Sequence, residues 1–233
     1  MREAISLFDQ AIALDPQFAL AMAISSNACF NLQLWHPGPD QADLMAKCLS
    51  LAQRAVQIDR NDYRVLAWAS YSYLICNQPI TAVELLIERA LELNPGDSVT
   101  HWLSGWINVF APNPLKALSA FEIGLRLDPQ SLWRASCHAG QATALMQLDR
   151  FEDAIPFARF AADQHAAVRA TCNTIQAAAY GFLGRAGEAR ALDSVSYPLQ
   201  PNDEAFFDNV RDGSLKPKIL EGLRLAGIAP EQV

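Results

Sequence analysis

The chain has 233 residues, 51% of them hydrophobic, so it can bury a substantial core and is too apolar to stay disordered. Its formal net charge of -7 provides no basic footprint, which argues against nucleic acid and anionic lipid surfaces as partners. No stretch reaches the roughly 18 apolar residues of a membrane span, and five cysteines (Cys29, Cys48, Cys76, Cys137, Cys172) without a CxxC pair speak against a disulfide framework or a zinc site. The expectation is a chain of a reducing, cytoplasmic compartment with no cofactor and no metal.

In chain order, residues 2 to 14 read as an amphipathic helix with Ala4, Phe8 and Ala11 on one stripe, closed by Leu14-Asp15-Pro16-Gln17. This looks like the second helix of a pair whose first helix is missing, so we expect the chain to be part of something longer on its N-terminal side. The stretch Trp35-His36-Pro37-Gly38-Pro39-Asp40 reads as a loop insertion that could serve as a contact between two copies. First helices of later pairs are predicted over 65–76, 99–110, 132–148 and 170–183, and nothing reads as a strand.

Each second helix carries a small or compact anchor twelve positions before its end. Ala4 precedes Pro16, Val83 precedes Pro95 and Ala117 precedes Pro129; Cys48, Ala154 and Ala189 stand at the same offset from Arg60, Ala166 and Pro201. The anchors at 4, 48, 83, 117, 154 and 189 therefore define a repeat of about 35 residues, stretched once by the insertion at 35–40. Pro198, Pro201 and Gly213 break the period, and Leu215 to Gly227 then reads as one short helix, stopped by glycine, that covers the end of the stack. Two regions follow: helical repeats over 1–195, the first truncated, and an irregular segment with a capping helix over 196–233.

The stretch Leu183-Gly184-Arg185-Ala186-Gly187-Glu188-Ala189 and its counterpart Leu148-Asp149-Arg150-Phe151-Glu152-Asp153-Ala154 resemble the inter-helix turn of tetratricopeptide repeats. Gly105, Ala142 and Ala177, each twelve before an anchor, match the small residue of that family's first helix, and Tyr180 matches its aromatic. The resemblance implies an all-α solenoid, a right-handed superhelix of antiparallel helix pairs, working as a surface that binds other proteins. The ending Glu221-Gly222-Leu223-Arg224-Leu225-Ala226-Gly227 also resembles that of bacterial multidomain signalling proteins, which carry such repeats behind a nucleotide-cyclase or winged-helix regulator domain.

Two stripes compete as a binding surface. Polar residues recur at i, i+4 and i+7 on the first helices: Asp97, His101, Ser104 and Asn108; Arg134, His138 and Gln141; Arg169, Asn173, Gln176 and Tyr180. If that face is open, it is a solvated ladder suited to an extended peptide or acidic side chains. It holds no lysine, unlike the carboxylate clamp of chaperone-binding tetratricopeptide domains. Trp68, Trp102 and Trp106 form the second stripe, read as core or, in the alternative, as the lining of an apolar groove for a peptide. His101 and His138 lack ligand partners at helical spacing, Cys137 and Cys172 read as packed thiols, and no phosphate loop or nucleophile–base set is present. The expected function is a non-catalytic scaffold for a protein or peptide partner, or for another domain of the same polypeptide. The alternative is a C-terminal regulatory part of a signalling enzyme or transcription regulator.

Overall fold

The computed structural model describes residues 2–35, 41–195 and 197–229. Among these there is no strand. The chain divides into two compact units, Met1–Ser104 and Gly105–Val233. The first unit contains α1 (Arg2–Leu14), α2 (Ala19–Trp35), α3 (Gln41–Ile58), α4 (Tyr63–Ile75), α5 (Ile80–Leu93) and the start of α6 (Ser98–Phe110). The second unit contains the rest of α6, α7 (Pro114–Leu127), α8 (Arg134–Gln147), α9 (Phe151–Gln164), α10 (Arg169–Phe182), α11 (Ala186–Arg190), α12 (Pro201–Asp208) and α13 (Leu215–Leu225). The architecture is an all-α solenoid of antiparallel helix pairs. Residues 36–40 and the side chain of Trp35, the loop expected to make a contact between copies, lie outside the described residues.

The recurring Asp-Pro and Asn-Pro endings have a local cause. At Asp15, Asp59, Asn94 and Asp128 the side-chain oxygen accepts the amide two residues on, at 2.9, 2.8, 3.1 and 3.2 Å. The same four residues donate their own amides to the carbonyl four residues back, closing the helix. A short polar side chain that mimics the next turn ends these four helices, and after Asp15, Asn94 and Asp128 the next residue is a proline without an N–H.

The first helices end differently. Asn77, Asp149 and Gly184 adopt positive φ of 54, 58 and 70°, and the next amides (Gln78, Arg150, Arg185) each reach back five residues to Tyr73, Leu145 and Tyr180 at 2.9 Å. This is the glycine-type helix stop, with Asn and Asp serving where glycine is absent. It explains why Leu-Asp-Arg and Leu-Gly-Arg occupy the same turn.

Packing follows the anchors. Cys48, Val83, Ala117, Ala154 and Ala189 are fully buried, because only small or compact residues let paired helices approach. Ala4 differs: it is exposed and Phe8 half-buried, while Ile5 is the buried residue of α1. In the second unit the fully buried Phe121 ring of α7 fills the space made by two glycines, Gly105 on α6 and Gly140 on α8. α13 packs against α10, with the Gly222 backbone against Ala178 and Gly181.

Candidate interaction surface on the second unit

Residues 201–225 turn back over the first helices of their own unit. Phe206 of α12 packs edge-on against Trp106 and Phe110 of α6, with both centroid distances 5.8 Å, and the Arg211 amide donates to the Phe110 carbonyl at 2.9 Å. At the other end of α12 the buried Asp203 carboxylate accepts the Thr171 hydroxyl of α10. Lys218 of α13 donates to the last carbonyls of α8, Met146 at 3.2 Å and Gln147 at 3.1 Å, and pairs with Asp149 at 2.7 Å, so a cation sits at the negative end of that helix. Lys216 bridges Glu204 and Asp208, one turn apart on the outer side of α12, at 2.7 and 3.0 Å.

The residues beneath this segment share one stripe. Trp106 and Ala178 each stand eleven positions before their anchor, and Thr171, Ala178 and Gly181 lie on one face of α10. At about 100° per residue, Asn173, Gln176 and Tyr180 fall on roughly the opposite face. The segment therefore covers the aromatic and small-residue stripe, and the polar ladder faces into the stack.

That arrangement corrects the expectation of an open, solvated ladder. In the first unit His101 and Ser104 are buried, and a His101 ring nitrogen, Nε2, pairs with the Pro95 carbonyl at 2.9 Å. In the second unit Asn108 is half-buried on α6. Arg134, also half-buried, holds its guanidinium 5.0 Å over the Phe160 ring. Half-buried His138 pairs through Nδ1 with the buried Gln141 at 2.8 Å and stands against Phe157 and Phe160, where burial lowers its pKa. Asn173 is buried and donates to the Asp193 carbonyl and carboxylate at 3.0 and 2.7 Å; buried Gln176 donates to Asn173 at 3.0 Å. Tyr180 is buried and its hydroxyl accepts from Arg159 at 2.8 Å. Of the set only Arg169 is exposed, and its Nε donates to the Ala162 carbonyl at 3.2 Å. Several polar side chains in this register are held by hydrogen bonds to neighbouring side chains and carbonyls, as buried polar groups usually are, although the buried Gln176 Oε1 has no partner.

The tryptophans join the two readings of their stripe. In the first unit Trp102 is buried and meets the half-buried Trp68 edge-on at 5.9 Å. In the second, Trp106 is buried among Phe110, Phe121 and Phe206, and its indole N–H donates to Ser136 at 3.0 Å. The ring is core because the chain's own segment has filled the surface it lines. Sequence reasoning missed Phe206, Asp203, Thr171 and Gly222. The available signal was Pro201 with Asp203 and Glu204 two and three residues on, a helix start inside a segment read as irregular.

Burial pushes the Asp203 carboxyl above the usual aspartate range. A raised carboxyl pKa means that the ionised form is disfavoured in the folded chain, so this group's contribution falls as pH rises through its folded value. Asp203→Asn, which keeps an acceptor for Thr171, should raise the melting temperature at pH 7. The gain should shrink as pH falls towards about 4. Thermal denaturation across that range checks both.

Among the described residues no group of three or more His, Cys, Asp and Glu could hold a metal, and no helix is long and apolar enough to cross a membrane. Buried Cys137 and Cys172 have thiols pushed up to about 12 by burial, which makes them inert packing groups.

No family model matches the sequence, and no curated protein matches it. Solved structures do. A tetratricopeptide repeat protein from Parabacteroides merdae is similar at 12% identity and a TM-score of 0.54, over 99% of this chain and 95% of that one. YrrB, a TPR protein with an unusual peptide-binding site, is 14% identical with a TM-score of 0.49, over 93% of this chain and 96% of that one. The fold is that of tetratricopeptide repeat proteins.

Proposed function

We propose that the chain is a non-catalytic protein-interaction scaffold whose second unit receives a short helical segment on the stripe formed by its first helices. The observation that carries this reading is the seat already built there: Trp106 and Phe110 take a phenylalanine, Thr171 takes a carboxylate, and the Phe110 carbonyl takes a backbone amide. In the resting protein residues 201–211 occupy the seat. The partner is then a peptide or protein segment of the same kind, a short helix bearing a phenylalanine and a polar acceptor for Thr171, on another molecule or on another domain of the same polypeptide. Aromatic anchors in a preformed pocket carry most of the energy of such contacts, and the polar groups fix register.

The test is calorimetric titration of a peptide of residues 198–213 into the full-length chain carrying Phe206→Ala. That substitution frees the Trp106 and Phe110 pocket from its own ring. The variant should bind the peptide at least about tenfold more tightly than the native chain, whose own segment competes. Equal affinities, or none in either chain, would contradict the proposal.

A further inference from the structure

We infer that Cys48 and Cys76 form a reversible disulfide under peroxide, making them a modification site in the first unit. Their sulfurs are 3.5 Å apart, in contact, and a disulfide needs about 2.05 Å, so a small side-chain rotation closes the gap. Cys48 is fully buried in the second turn of α3, and Cys76 is the half-buried C-cap of α4. Cys76 is thus the less buried of the two and Cys48 is shielded beside it, the order expected of a reactive and a resolving cysteine. The hydrogen bond with Cys48 lowers the Cys76 pKa and is the main reason the Cys48 pKa is raised, so the charge favours the accessible sulfur. Cys29 belongs to the same cluster and is fully buried, with its thiol raised by burial.

The chemistry balances with hydrogen peroxide as oxidant. The Cys76 thiolate attacks one peroxide oxygen; an S–O bond forms, the O–O bond breaks, and the departing hydroxide takes a proton to become water. Cys48 sulfur then attacks the Cys76 sulfenic acid; the S–S bond forms, the S–O bond breaks, and the Cys48 proton leaves with the hydroxide as a second water. The bond would tie α3 to α4 and close a loop spanning 28 positions, which constrains the unfolded chain.

Full-length protein treated with stoichiometric hydrogen peroxide should lose about 2 Da, give a Cys48–Cys76 linked peptide on non-reducing digestion, and regain its mass with dithiothreitol. Its melting temperature should rise by several degrees. With Cys48→Ser, Cys76 should stop at a sulfenic acid that dimedone captures. A different linkage, such as one through Cys29, or Cys76 oxidised without a crosslink in the native chain, would overturn the inference.

Discussion

Gly222→Ala should detach the last helix. A Cβ at Gly222 would stand 2.5 Å from the Ala178 carbonyl oxygen and 2.7 Å from its Cα, and one at Gly181 would stand 1.9 Å from the Gly222 oxygen. Backbone meets backbone on both sides, so no rotamer relieves the clash. Detachment would expose Leu215, Ile219 and Leu223, all buried, each worth about 1.5–3 kcal/mol. We expect a loss of at least about 3 kcal/mol in denaturant unfolding, with aggregation, despite alanine's helix propensity being about 1 kcal/mol better than glycine's. Gly187 in α11, where a Cβ meets nothing within 4 Å, is the control: Gly187→Ala should be neutral or stabilising. A Gly222→Ala chain as stable as the native one would show that α13 does not dock on α10.

The second large effect concerns Phe121. A Cβ on Gly140 would lie 2.2 Å from the ring, and one on Gly105 would lie 2.4 Å from it, while the ring is fully buried and held by Trp106. Overpacking of this kind costs about 1–3 kcal/mol, and a contact this short puts Gly140→Ala at the upper end. Phe121→Ala should cost about 3–5 kcal/mol through the cavity it leaves. Because the two positions share one space, Phe121→Leu with Gly140→Ala should be more stable than the sum of the single changes predicts. Additive losses in that double-mutant cycle would mean that the ring and the glycine do not compete.

Much of this fold can be read from residue spacing, because its causes are local. The Asp and Asn side chains at the ends of the second helices, and Asp149 and Gly184 at the ends of the first, act on amides a few residues away. The small anchors report a packing distance that every pair shares, so they recur. The face assignment was not legible. Asn173 and Gln176 are polar, and polarity on a helix reads as solvent unless the partner is known; here both are buried, and the partners are Asp193 and Asn173 itself. Trp106 reads as core, and it is, but through Phe206, which lies 100 positions away in a segment that breaks the repeat. A contact of that sequence separation leaves no periodic trace.

The central claim is that the stripe bearing Trp106 and Phe110 is a seat for a helical segment that the chain's own α12 now fills. Hydrogen exchange of the native full-length chain, with and without saturating peptide of residues 198–213, tests it most directly. The Arg211 amide, bonded to Phe110, should exchange slowly alone and speed up when the peptide is added, together with the amides of α12. Amides of α8 and α10 should keep their protection. If α12 and Arg211 exchange identically with and without peptide, while the same peptide fails to bind the Phe206→Ala chain, the seat is fixed core and not a binding surface.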